Sequence, residues 1–415
     1  MSLALTILLA AAPSFAADLD RPLTWEDCVA MASARNPELA ASALSVDSSR
    51  ASFYGSFNGL LPKLSLSNSY SDSKASDGSS RWSAQGSLSM DVFNMGSVNS
   101  VRSAWAGLGQ ARASQRSASS SLRLNLRRAF AQLLFAQRIV EVSRSIRDLR
   151  DKDSQLVVLR YDSGRESKGN MLRSKAQVLQ AEADLSQDLR DLRTAQRALD
   201  RYLGIDEFSA VTASGTLGAR PAPDFPKDLK ALAVGRPDVA VQEASVRSAQ
   251  VALSQSRASL WPSVSVNYSR SRTGREEFPY SRYNWSFGGS LSYALFGGGP
   301  TAAYFASAAS KKSLEKARED LRSVRNQAML DLETAWSQYS GAVEQTKVQE
   351  LLLEAARLRN SESDVRYESG LLNFENWETI VSERVNSERQ AIQAQLSAAQ
   401  AEAAWEKALG KALGE

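Results

Sequence analysis

Histidine does not occur in this 415-residue sequence, and cysteine occurs once, at Cys28. Without imidazole, neither a Ser/His/Asp nor a Cys/His triad can be assembled, and no metal site can be built on histidine. A single cysteine excludes a disulfide within the chain and every multi-cysteine zinc or iron–sulfur arrangement. No phosphate loop, metal-ligand cluster or pair of carboxylates set for acid–base work is found, so the chain is not read as an enzyme and no cofactor is implied. Charge of one sign is also lacking. The 50 basic and 46 acidic residues are spread along the chain, which is a solvated-surface pattern and not a nucleic-acid footprint. With 23% charged and 43% hydrophobic residues, wholesale disorder and a polytopic helical membrane protein are excluded. Proline is absent between residues 63 and 220 and between 301 and 415. Beyond Ala16 no apolar run approaches the roughly 20 residues that a membrane helix needs.

What is present begins with an export signal. Leu3 to Ala12 is apolar or small except for Thr6, and Ser14-Phe15-Ala16 supplies the small residues that a signal peptidase reads. Residues 1–16 are therefore expected to be removed. No basic residue precedes the run, which leaves the true start of the signal open. The run is too short for an anchor. Cys28 lies too far beyond the cut to be a lipidated first residue and reads as a small buried helix residue.

The mature sequence repeats itself. Asn36-Pro37-Glu38-Leu39 recurs as Arg236-Pro237-Asp238-Val239, and Leu61-Pro62-Lys63-Leu64 recurs as Trp261-Pro262-Ser263-Val264, both at an offset of 200 residues. Trp82-Ser83 with Gly86-Ser87-Leu88-Ser89 returns as Trp285-Ser286 with Gly289-Ser290-Leu291-Ser292, and Arg160-Tyr161-Asp162-Ser163-Gly164 returns as Arg366-Tyr367-Glu368-Ser369-Gly370. Landmarks in one order with slowly drifting offsets mean one unit used twice. The boundaries read as repeat 1 over 17–203, a connector over 204–226 carrying Gly215, Gly218, Pro221 and Pro223, and repeat 2 over 227–415.

Each repeat opens with a helix. In the first, Thr24 caps the opening turn with Asp27 as the returning acid, and a break is expected at Asn36-Pro37 before the helix runs on to about Leu60. The second copy spans Asp228 to about Leu260. Two runs of period-two alternation follow, the mark of strands. Leu64, Leu66 and Tyr70 share one parity in Lys63 to Ser71, as do Trp82, Ala84, Leu88, Met90 and Val92 in Arg81 to Phe93. The second copy gives Val264, Val266 and Tyr268, then Tyr283, Trp285, Phe287, Leu291, Tyr293 and Leu295. The opposite parity is mostly Ser, Asn and Gln.

The period then becomes helical. Leu122, Leu126, Ala129, Leu133, Ala136 and Val140 step by four and three, and Leu321, Val324, Ala328, Leu332, Ala335, Tyr339 and Ala342 follow nearly the same rhythm. That is a coiled-coil seam. A helix from about Gly96 to Tyr161 would reach roughly 100 Å at 1.5 Å per residue, so it needs long neighbours and not a compact core. Strands of this length with an apolar, aromatic-studded face suit an outer-membrane barrel, but four cannot close one. The barrel is therefore expected to be shared between chains.

These residues together resemble the TolC-like outer-membrane efflux proteins over essentially the whole mature chain. The likeness rests on Leu23-Thr24-Trp25-Glu26-Asp27 and Asn36-Pro37-Glu38-Leu39, on Leu61-Pro62 and Trp261-Pro262 entering strands, on Leu295-Phe296-Gly297-Gly298-Gly299 leaving the last strand, and on the two Arg-Tyr-acidic-Ser-Gly turns. The resemblance implies a mainly helical α+β membrane protein with antiparallel coiled-coil helices. It implies a homotrimer whose twelve strands form one barrel in outer-membrane lipid and whose helices form a periplasmic tunnel. It also implies docking at the helical tips to a periplasmic adaptor (membrane fusion) protein and an inner-membrane RND or ABC pump, in efflux or type I secretion.

Family members often carry an acid six places after the second turn glycine, where three copies ring the tunnel mouth. Here Gly370 leads to Asn376, flanked by Glu375 and Glu378, and Gly164 leads to Asn170. Glu375, Asn376 and Glu378 are the candidate constriction. Arg160, Tyr161, Gly164, Arg366, Tyr367 and Gly370 are the candidate tip latch and adaptor-docking residues. The plainer reading has Asn170 and Asn376 capping the returning helices and the glutamates solvated in a first turn. At the level of the whole chain, the alternative to a passive exit duct is a periplasmic coiled-coil scaffold or adaptor with a soluble strand region. Aromatic residues on an exposed row favour the duct.

Overall fold

The computed structural model describes residues 21–72, 81–280, 282–296 and 298–415; the expected signal segment lies outside them. Helix α1 (Trp25–Arg35) starts at Thr24, where the capping box forms: the Asp27 amide donates to Thr24 Oγ1 at 3.2 Å and the Thr24 amide to Asp27 Oδ2 at 3.0 Å. Cys28 is buried in it. The break falls at Asn36, held extended at ψ 122° by the proline that follows. Helix α2 (Pro37–Ser56) then ends in a 3-10 turn over Phe57–Leu60. Strands β1 (Lys63–Ser71) and β2 (Arg81–Phe93) follow, then α3 (Met95–Asp162) and α4 (Lys168–Leu203). The second copy runs α5 (Leu229–Val234), α6 (Pro237–Ser256), β3 (Ser263–Gly274), β4 (Asn284–Ser292), α7 (Pro300–Glu368) and α8 (Phe374–Ala408). Strand β4 stops at Ser292, short of Tyr293 and Leu295, which the alternation had included. Among the described residues no helix is long and apolar enough to cross a membrane.

The strands form one antiparallel sheet in the order β1-β2-β3-β4. Its register aligns Leu64, Leu88, Tyr268 and Phe287 in one row across all the strands. That apolar face is open: Leu66 is 81% and Leu291 72% exposed. On the other face serines bond to each other across strands, Ser65 to Ser87 at 2.6 Å, Ser265 to Ser290 at 2.7 Å and Ser269 to Ser286 at 2.8 Å. The two faces thus differ in chemistry, and β1 and β4 each leave an edge unpaired within the chain.

In space the chain forms two compact units that cut across the sequence repeats. One combines the described part of 1–37 with Ser120–Lys227 and Leu332–Glu415; the other combines Glu38–Ser119 with Asp228–Asp331 and contains the sheet. In the first unit the predicted seam is buried except at Ala342, which is half-buried, with Leu126, Leu133 and Leu332 fully covered. Its helices are also cross-linked by polar side chains: Ser143 donates to Asp188 at 2.5 Å, and Arg123 pairs with Glu406 at 3.1 Å. The connector is fastened to this unit. Tyr339 donates to the Arg220 carbonyl at 2.8 Å, Trp336 to that of Pro223 at 2.9 Å, and Leu23 bridges Ala213. In the second unit the Arg-Pro-Asp landmark is an ion cluster: buried Arg236 meets Asp238 at 2.6 Å and Asp331 at 3.1 Å.

Candidate functional site

The two Ser-Gly turns join α3 to α4 and α7 to α8 within the first unit, and both end their helix in the same way. Gly164 and Gly370 take φ of 74° and 79°, the left-handed region where a Cβ is costly. The Arg165 amide reaches back to the Arg160 carbonyl at 2.8 Å, and that of Leu371 to Arg366 at 2.8 Å. These bonds satisfy carbonyls that a helix end leaves open. Each returning helix is capped three residues before the expected asparagine. Ser167 Oγ accepts from the Asn170 amide at 3.1 Å, and Asn373 Oδ1 accepts from the Asn376 amide at 3.0 Å. Asn170 and Asn376 are thus the donors to the caps and not the caps themselves.

Between the turns sits Tyr367, fully buried. Its ring stacks on Trp377 at 4.3 Å with 6° between the planes, and the Arg160 guanidinium lies 4.5 Å from its centroid. Arg160 also donates to the Tyr367 carbonyl at 2.6 Å, and the Tyr367 hydroxyl donates to Glu166 at 3.0 Å. The first hairpin therefore grips the second through one cation, one carboxylate and one ring. Burial, and then the bond to Glu166, push the phenol well above its ordinary pKa, so it stays a donor. For Glu166, burial pushes upward, but bonds from Asn170, the Ser167 amide and Tyr367 outweigh it and hold the carboxyl below its usual range. Trp377 is itself fixed by Asp364, which accepts its indole N–H at 2.7 Å. Val157, Met171, Phe374 and Val381 complete the cluster, with Tyr161 packed against its edge.

The duplicated motif is used unequally. Arg160 and Tyr367 make the grip, whereas the repeat partner Arg366 is exposed, and among the described residues its side chain makes no hydrogen bond or ion pair. Glu375 and Asn376 are exposed at the start of α8. Glu378, expected beside them, is buried: its oxygens accept from Arg173 at 3.2 Å, Gln177 at 2.6 Å and Ser382 at 2.9 Å. It links the hairpins and does not face outward: three residues along the helix leave it about 60° round the axis from Glu375, which brings it onto Arg173 and Gln177 of α4. Glu166, Asp364 and Trp377 were not singled out from the sequence. Only Trp377, an aromatic beside the marked Asn376, carried a signal.

Beneath the grip lies Asp153, half-buried, with Oδ2 covered and lacking a hydrogen-bond partner. Burial pushes its carboxyl up to about 7, against the pull of Arg150 and Arg384 and with the push of Asp364. The folded tip therefore keeps a proton that the unfolded chain releases near 3.8, so stability falls as pH rises between those values. Wild type should lose at most about 4 kcal/mol across that window, less where water screens the half-buried group. Asp153→Asn should flatten the slope. Heat denaturation between pH 4.5 and 7.5 checks this, and identical slopes for the two proteins would refute it. Among the described residues no group of three or more Cys, Asp or Glu is placed to hold a metal.

The family model described as outer membrane efflux protein matches residues 29–205 and 229–411, one span in each repeat. Solved structures agree in fold. The CmeC outer membrane channel of Campylobacter jejuni superposes with a TM-score of 0.82 at 14% identity, covering 93% of this chain and 85% of that one. The open state of the MtrE outer membrane channel of Neisseria gonorrhoeae gives 0.80 at 19%, covering 94% and 89%. The outer membrane protein VceC of Vibrio cholerae gives 0.78 at 17%, covering 94% and 96%. No curated protein matches by sequence.

Proposed function

The chain belongs to the outer membrane efflux protein family, and from that premise we propose that it is the exit duct of a tripartite efflux or type I secretion system. Three copies complete a twelve-stranded barrel in outer-membrane lipid, and their helices line a periplasmic passage. The tips meet a periplasmic adaptor, behind which stands an inner-membrane RND or ABC pump. The duct performs no chemistry and takes its energy from these partners.

One observation carries the reading: a sheet with an exposed apolar face, a serine-laddered opposite face and two unpaired edges. Exposed apolar rows need lipid or a partner, and open strand edges in lipid need another strand. Closure between copies satisfies both. In this reading Glu375 and Asn376 line the narrow end, since three copies of an exposed acid make a concentrated negative ring. The latch residues around Tyr367 keep that end closed, and the turns at Gly164 and Gly370 form the docking surface for the adaptor.

The protein should purify from membranes in detergent as a trimer by native mass spectrometry. Labels on cysteines introduced at Leu64, Leu88, Val266 and Leu291 should report lipid, and those at Ser65, Ser89, Ser265 and Ser292 should report water. Burial pushes the Cys28 thiol up to about 12, so labelling at neutral pH is confined to the introduced sites. A monodisperse monomer, or the reverse labelling pattern, would overturn the duct in favour of a soluble scaffold.

A further inference from the structure

The apolar parity of β3 changes character partway along: Val264, Val266 and Tyr268 give way to Arg270 and Arg272. The register sets Arg270 between Gly86 and Trp285, and Arg272 beside Ala84. The two small neighbours leave a hollow of about 590 Å³ lined by Leu66, Ala84, Gly86, Arg270, Arg272 and Phe278. Beside the hollow, the Tyr283 ring lies against Arg270, its centroid 3.8 Å from the guanidinium carbon. Among the described residues neither arginine has a carboxylate within ion-pair distance, although Glu276 and Glu277 lie in the following connection.

Height along the strand decides what this means. The helices enter at Ser263, and Arg270 stands seven residues further on, about 23 Å at 3.3 Å per residue. A tilt of about 40° reduces this to about 18 Å within an apolar band about 25 Å tall. Counted from Ser263, Arg270 stands about 7 Å and Arg272 about 2 Å short of the far edge of such a band, within reach of the headgroups on the side away from the helices for long side chains that snorkel outward. A charge on the lipid face is costly near the midplane and nearly free at the interface, where an anion can satisfy it. Guanidinium forks match phosphate oxygens in pairs, which a lone ammonium cannot do. The rows of Leu88, Tyr268 and Phe287 just below offer an apolar floor for acyl chains.

We propose that Arg270 and Arg272, with Phe278, Tyr283 and Trp285 around them, bind the phosphate of a phosphorylated lipid in the outer leaflet. The inference rests on the barrel reading, because it needs this parity to face lipid. Once occupied, the site fixes the barrel's depth and rotation in the membrane.

The test titrates the purified trimer in detergent with bisphosphorylated lipid A, with its dephosphorylated form and with inorganic phosphate, read by native mass spectrometry. Lipid A should bind, and removing its phosphates should weaken binding about tenfold or more. Arg270→Gln with Arg272→Gln should lose a similar factor while remaining a trimer of wild-type conductance, and the double lysine variant should keep part of the affinity. Equal binding by wild type and the glutamine variant would overturn the site. Equal binding of the two lipid forms would overturn the phosphate, and displacement by equimolar inorganic phosphate would overturn the lipid. A label at Leu88 in the same samples separates the two readings: a lipid signal with no phosphate dependence sinks only this inference, whereas a water signal sinks the barrel as well.

Discussion

Replacing Arg160 by serine should raise single-channel conductance in planar bilayers several-fold, while the same change at its repeat partner Arg366 should leave it at the wild-type value. The contrast follows from unequal use of a duplicated motif. Arg160 donates to the Tyr367 carbonyl at 2.6 Å and lies over the Tyr367 ring, whereas Arg366 is exposed. A charged hydrogen bond is worth about 1.5–3 kcal/mol and a partly desolvated cation over a ring about 1–2 kcal/mol. In a trimer the loss recurs at three tips. Tyr367→Phe is milder, because the ring still stacks on Trp377 and only the one bond to the Glu166 carboxylate goes, so about 1.5–3 kcal/mol per tip is expected, less where water reaches that carboxylate. Tyr367→Ala empties a fully buried site, costs about 3–5 kcal/mol and should disorder the tip outright. If Arg160→Ser and Arg366→Ser conduct alike, the latch assignment fails even where the duct stands.

The second large effect is on stability. Gly204→Ala should destabilise the protein by about 3–5 kcal/mol, well beyond Gly164→Ala or Gly370→Ala, which should each cost about 1–2 kcal/mol. All three glycines have nearly the same left-handed φ, so backbone preference is common to them. Space is not. A Cβ at Gly164 or Gly370 meets nothing within 4 Å, whereas one at Gly204 would stand 2.3 Å from the Arg35 carbonyl oxygen and 2.7 Å from its carbon. Those atoms are backbone at the end of α1, where Asn36 Nδ2 also donates to the Tyr202 carbonyl at 2.9 Å. Relief therefore requires α1 and α4 to part. Thermal unfolding of the purified protein orders the variants; a Gly204→Ala midpoint no lower than that of Gly370→Ala would contradict the argument.

Local periodicity placed the elements in order, with β4 shorter at both ends than the alternation from Tyr283 to Leu295. Alternation delimited β1 at 63–71 and β2 at 81–93 as observed. The Thr24-to-Asp27 spacing specified its capping box, and the four-and-three rhythm picked out Leu126, Leu133 and Leu332, which are fully buried. Duplication in ordered landmarks carried the family. These features are legible because they depend on the backbone's own periods of two and 3.6, which a sequence displays directly.

What each marked residue touches was decided only in three dimensions. The sequence presents Arg160 and Arg366 as equals, yet packing puts one over a buried ring and leaves the other in solvent. It presents Glu375 and Glu378 as a pair, yet helical rotation turns the second onto Arg173, Gln177 and Ser382. Asp153 has no sequence signal, since its raised pKa comes from burial among side chains on other helices, and Arg270 and Arg272 form a site only once the register lays Gly86 and Ala84 beside them. Even the compact units mix segments from both repeats. Each of these depends on which segments far apart in the chain come to lie side by side, and that is fixed by tertiary packing, which leaves no period in the sequence to read.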